Sequence, residues 1–178
     1  MSDSDGKILD AFGAWLSALG RDAELLGGLL ASAELDEGAR KAAAGGLNYL
    51  FKSLDLIPDG IDDIGYLDDA FVLRVAAAQA VEAGAGGTQQ VSQLASENEV
   101  VRQFLGETYP RLDTYVTGLR SGAARGRTVQ DILGAEEVLE EFLEDVKGFA
   151  AAYKAPSFSR DPKNLIKLRA FFDAKLPK

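Results

Sequence analysis

Apolar residues along this chain recur at intervals of three and four, and no run alternates residue by residue as a strand would. In KILDAFGAWLSAL, residues Ile8, Phe12, Trp15, Leu16 and Leu19 form one stripe, and the helix they predict ends at Gly20. Asp22 can cap a second segment, AELLGGLLASAEL, which Gly27 and Gly28 weaken. Asp36 caps a third, EGARKAAAGGLNYLFKSL, with Leu47, Leu50 and Leu54 along one side. A long apolar helix follows through AFVLRVAAAQAVEA, and GAGG at 84–87 breaks it. Beyond the break, Ser96 and Glu99 in SENEVVRQFL fit a capping box, and Pro110 opens another helix. SGAARGR at 121–127 reads as a flexible connection. TVQD at 128–131 is a second capping-box sequence, opening the longest helix, to about Lys154, with Val138, Phe142, Val146, Phe149 and Tyr153 on one side. Asp161-Pro162 starts the last helix, KNLIKLRAFFDAKL. The pattern predicts an all-α protein, a helical bundle of about six to eight helices. Its N-terminal region spans 1–87 and its C-terminal region 88–178, packed as one domain or as two halves meeting near 84–96.

Composition narrows the chemistry. The chain has no cysteine and no histidine, which excludes disulfides, thiol nucleophiles, Cys/His zinc sites and imidazole-based triads. Carboxylates, Lys, Tyr, Ser and Thr are what remain, and no catalytic set emerges from them. The net charge of −9 is uneven: residues 154–178 carry +5 and the remainder −14. An acidic body repels duplexes, so nucleic acid is not expected as a partner. The opening MSDSDGK lacks the basic and apolar regions of a secretory signal. The most apolar stretch, 64–83, is interrupted by Asp68, Asp69 and Arg74, which argues against a transmembrane span. The expected location is cytoplasmic, with peripheral membrane contact as a variant.

The stretch DLIPDGIDDIGYLDD, 55–69, places six aspartates among residues that want to be buried. An EF-hand loop aligned from Asp55 puts Asp59, Gly60 and Asp63 at suitable positions. It fails at Ile57, and at Tyr66, where a bidentate glutamate is needed. A looser Mg²⁺ or Ca²⁺ site on Asp55, Asp59, Asp62, Asp63, Asp68 and Asp69 remains open to the sequence. Acid–base catalysis by paired carboxylates lacks an obvious nucleophile or oxyanion donor beside it, apart from Tyr66 and helix N-termini. The structural reading is that Pro58 and Gly60 turn the chain between two helices and Asp59 or Asp62 caps the second. Leu56, Ile57, Ile61, Ile64 and Leu67 then plug the turn into the core, and Gly65 admits another backbone.

The run LNYLFKSLDLIPDGIDDIGYLDDAFVL, 47–73, resembles the signature of the YkvA-like family, a bacterial helical domain of unknown function, within a motif region extending to about residue 83. The residues that carry the resemblance are Tyr49, Asp55 through Asp59 with Pro58, and Gly65-Tyr66 through Asp69. It implies a short helical hairpin in membrane-associated or otherwise hydrophobic contexts, and no established activity. Gly60, Ile61 and Asp62 stand where the family pattern has a bulky apolar residue and a proline, which makes this turn more acidic and more flexible.

The last helix is basic and amphipathic, with Leu165, Leu168, Phe172 and Leu176 on one side and Lys163, Lys167, Arg169 and Lys175 supplying charge. Such a helix can seat in a partner's groove or lie on an anionic bilayer. The simpler expectation is that it docks on the acidic helix 129–154 of its own chain. RSGAARGR at 120–127 lacks the lysine and hydroxyl residue of a phosphate-binding loop. The functional expectation is a non-enzymatic interaction or adaptor protein with a protein partner, contacting it around the acidic turn and through Lys163, Lys167, Arg169, Phe172 and Lys175. One alternative is a divalent-metal-binding protein or metal-dependent enzyme using the 55–69 carboxylates; another is peripheral membrane association.

Overall fold

The period of three to four is realised as helix along most of the chain. The computed structural model describes residues 1–32, 34–53, 55–61, 64–86 and 88–178; Leu54, Asp62 and Asp63 lie outside the described residues. Helix α1 spans Asp3–Leu30, α2 Glu37–Tyr49 and α3 Leu67–Ala80, continued by a π-helical turn at Val81–Ala85. After it come α4 (Gln89–Ser96), α5 (Asn98–Leu105), α6 (Tyr109–Gly118), α7 (Val129–Gly134), α8 (Glu136–Ala152) and α9 (Lys163–Lys175). No helix among the described residues is long and apolar enough to cross a membrane.

Helix α3 is the centre. All but one of its residues are buried, so it carries no amphipathic stripe, as a helix packed on every side should not. Helices α1, α2, α4, α5 and α6 pack around it. Phe12, Trp15, Phe71, Phe104 and Phe172 form a joined aromatic cluster where α1, α3, α5 and α9 meet. One hydrophobic cluster runs from Leu9 through Leu176, drawing on both halves of the sequence.

Several local expectations are corrected. Helix α1 does not end at Gly20 but continues to Leu30. Its buried face, Leu9 through Leu30, outweighs the ~1 kcal/mol that a helical glycine costs. Gly20 instead admits α8, since a Cβ there would sit 3.2 Å from the Ala150 carbonyl oxygen. SGAARGR is a tight antiparallel hairpin, β1 (Ala123–Ala124) with β2 (Arg127–Thr128), turned by Arg125 and Gly126 at positive φ. Thr128 and Asp131 do form a capping box, but the helix they open is short. Ala135, with φ −140° and ψ 125°, separates α7 from α8. Ser96 is the last residue of α4, and its hydroxyl donates back to the Gln93 carbonyl at 2.7 Å, so it caps nothing.

Helix α9 docks on its own chain, against α3, α5 and α6. Phe172 stacks flat on Phe71, with ring centroids 5.0 Å apart. The Arg169 guanidinium lies over Phe104, and Arg111 pairs with Asp173 at 2.8 Å. Apolar burial selects this seat, because exposed ion pairs to the acidic α8 would add only ~0.2–1 kcal/mol each.

Arg74 of α3 ties three helices together. Its guanidinium donates to Asp22 of α1 at 3.1 Å and to Glu97, between α4 and α5, at 2.8 Å. It also lies over the Trp15 ring, 4.1 Å from the centroid.

Candidate functional site

The site forms where α2 hands over to α3. At the end of α2 the backbone tightens, with Leu50, Phe51 and Lys52 donating to Leu47, Asn48 and Tyr49. Tyr49, fully buried, donates its hydroxyl to Asp68 Oδ2 at 2.5 Å and accepts from the Leu56 N–H at 2.7 Å. The Ile57 N–H donates to the same Asp68 oxygen at 3.2 Å. Leu56, Ile57, Ile64 and Leu67 anchor the intervening turn in the core. Asp68 and Asp69 occupy the first turn of α3, where the positive end of the helix dipole favours carboxylates.

Asp59 reaches the same place from the turn. Ile61 N–H bonds to the Pro58 carbonyl and Gly65 N–H to the Ile61 carbonyl, both at 3.0 Å. The Asp59 backbone rests directly against Gly65. Tyr66 precedes α3 in the left-handed region, φ 68°, its ring edge-on to Tyr153, just past the end of α8, at 5.3 Å. The residue before the helix is therefore Tyr66, which forms no side-chain cap. Asp59 is not a cap, and Asp62 lies outside the described residues.

Asp59, Asp68 and Asp69 each present a carboxylate oxygen, and these oxygens lie within 4.8 Å of one another. Asp55 is within hydrogen-bonding reach of Asp59, and Asp68 of Asp69. Asp68 is 0% exposed and Asp69 3%, yet Asp68 Oδ1 and Asp69 Oδ2 have no hydrogen-bond partner among the described residues, nor has Asp55 Oδ1. Burial raises all four carboxyls above their ordinary range. Asp69 rises well above it, and Asp55 is pushed up to about 7, with the charges of Asp59 and Asp68 adding to burial. Burial together with these charges also lifts the surrounding phenols, Tyr115 to about 12 and Tyr66 and Tyr153 in the same direction.

The contrast with Arg74 is informative. There the fold buries Asp22 and supplies a guanidinium for it. At Asp68 and Asp69 it supplies a phenol and a backbone N–H, both to one oxygen of Asp68. Lys52 pulls the Asp55 carboxyl back down, but by less than burial and the neighbouring acids raise it. A proton shared between Asp68 and Asp69 satisfies one contact. A cation among Asp59, Asp68 and Asp69 would offset their charges together. The donors are all oxygen, which suits hard cations such as Mg²⁺, Ca²⁺ or Mn²⁺.

Of the residues the sequence singled out, Asp55, Asp59, Asp68 and Asp69 come together, with Tyr49, Pro58, Gly65 and Tyr66 shaping the site. Asp62 and Asp63 lie outside the described residues. Gly60 is exposed in the turn, and a Cβ there would meet nothing within 4 Å. Lys163, Lys167 and Lys175 are on the exposed side of α9, while Phe172 is buried in the core rather than offered to a partner. Sequence reasoning missed the Asp22–Arg74–Glu97 bridge, although a lone arginine inside AFVLRVAAAQAV was a signal for it. It also missed Tyr115 and Tyr153, which arrive from distant segments with no local mark.

Residues 39–74 match the model of a family described as a protein of unknown function (DUF1232). The match covers α2, the acidic turn and the first half of α3, about a fifth of the chain, and ends at Arg74. This segment is thus similar to a domain of unknown function. No curated protein and no solved structure matches the chain.

Proposed function

We propose that this protein binds a hard divalent cation at the head of α3, through Asp59, Asp68 and Asp69 with Asp55 beside them. The observation that carries the reading is a pair of buried carboxyls, Asp68 and Asp69, that converge with a third carboxylate; among the described residues each has an oxygen without a hydrogen-bond partner, and none of the three acids is in a salt bridge. A buried carboxylate is costly unless paired or coordinated to a metal. The cation joins the acidic turn to the helix that the other helices surround. We also read the 47–73 run as YkvA-like, on the residues of its acidic turn.

Calorimetric titration of the chelator-treated protein with Mg²⁺, Ca²⁺ and Mn²⁺ tests this. Binding tighter than ~100 μM, about −5.5 kcal/mol, is expected for at least one ion. It is lost in Asp69→Asn and weakened, with the two inner carboxyls still present, in Asp59→Asn. Absence of heat and of any gain in melting temperature with all three ions would rule the reading out. The adaptor reading has less behind it: Met1 and Ile166 are the exposed large hydrophobic residues among those described, which leaves a partner little apolar surface.

A further inference from the structure

The candidate cation site is assembled from two halves that are held differently. The inner half is fixed on α3, where Asp68 takes two hydrogen bonds on Oδ2 and Asp69 is enclosed. The outer half is Asp59, exposed on the turn at 58–61. The Asp59 backbone packs closely against Gly65. A Cβ on Gly65 would run into the Asp59 carbonyl oxygen, and would lie 2.8 Å from the carbonyl carbon and 3.3 Å from Cα. All three atoms are backbone, so no rotamer change relieves the clash. Gly65 itself is not at positive φ, so its own conformation is open to any residue, and only the close approach requires glycine. Gly60, five residues earlier in the same turn, meets nothing within 4 Å.

We infer that Gly65 is a positioning residue for the cation: by admitting the Asp59 backbone it closes the outer carboxylate over Asp68 and Asp69, making the turn at 58–61 a clasp that a bound cation locks. The inference rests on the cation-binding reading and adds to it a residue that touches no ligand. Tyr66 steadies the clasp from the other side, through its left-handed backbone and its contact with Tyr153.

The test uses the full chain in four forms, wild type, Gly65→Ala, Gly60→Ala and Asp59→Asn, together with the Gly65→Ala, Asp59→Asn double variant. Each is titrated calorimetrically with Ca²⁺, Mg²⁺ and Mn²⁺, and its cation-free stability is measured in urea with a chelator. Gly65→Ala should weaken binding by roughly tenfold or more, the usual effect of losing an outer-shell partner, while Gly60→Ala stays near wild type. If Gly65 acts through Asp59, the double variant binds no more weakly than Asp59→Asn alone, whereas independent effects would add. Binding by Gly65→Ala at wild-type strength, or additive losses in the double variant, would overturn the inference and leave cation binding standing. A wild type that binds none of the three ions removes both. If Gly65→Ala does not fold, amide exchange at Asp59, Gly60 and Ile61 of the wild type decides the matter. Protection gained on adding Ca²⁺ is expected, and unchanged exchange overturns the clasp.

Discussion

Asp69 and Asp22 are both buried carboxyls, but the fold treats them differently. Asp22 has Arg74 at 3.1 Å; Asp69 has other acids. With cation removed, the strain of that arrangement should be readable as a pH dependence of stability. A carboxyl that burial raises in the folded state holds its proton more tightly there than in the unfolded chain. Its contribution is therefore fully present below the ordinary value of 3.8, and for Asp55 it is lost as pH rises through about 7. Asp59, Asp68 and Asp69 shift in the same direction. In a chelator, the urea midpoint should fall steadily as pH is raised from about 5.5 to about 8, and Asp55→Asn should flatten the part of the slope near pH 7. A midpoint that rises over this range would mean that these carboxyls are stabilised as anions by a partner within the fold.

At the scale of helices, Arg74 is the joint between α1, α3 and the α4–α5 turn. Arg74→Met keeps most of the apolar stem but leaves Asp22 buried without a counter-charge and withdraws the cation from the Trp15 face. Breaking one side of a buried pair costs about 3–5 kcal/mol, and the partial exposure of Glu97 puts the expected loss near the lower figure. Chemical denaturation checks the value. Adding Asp22→Leu to Arg74→Met should restore part of it, because the orphaned charge is then gone. A single-variant loss under about 1 kcal/mol would show the bridge to be replaceable. Much of this architecture was legible from periodicity: the all-α class, α3 as a long apolar helix, and a turn bearing Pro58 and Gly60 with its apolar residues inward. What periodicity could not give is where helices stop. Gly20 looks like an end in sequence, yet it is a contact point for α8, a segment 130 residues further along. Ala135 breaks a helix although its residue type gives no reason to. The site was half legible for the same cause. Clustered aspartates are visible in a string of letters, whereas the convergence of Asp59 on Asp68 and Asp69 depends on a backbone approach at Gly65.

Across the whole molecule, the question is whether the basic C-terminal helix belongs to the fold or is held for something else. Its apolar residues Leu165, Leu168, Phe172 and Leu176 are buried, and Phe172 stacks on Phe71 in the same aromatic cluster as Trp15. That places the far end of the chain in van der Waals continuity with α1 through the central helix. Phe172→Ala should therefore act on the entire protein, costing about 3–5 kcal/mol as buried phenylalanine truncations do. Trp15 fluorescence and far-ultraviolet circular dichroism report on α1 and on all the helices respectively. Their urea transitions should superimpose in the wild type and shift together in Phe172→Ala, since a core that joins both regions unfolds as one. If the helix served only as an external contact, Phe172→Ala would leave the Trp15 transition where it was. Fluorescence that moved without the dichroism would place α1 and α9 in a unit that melts apart from the rest.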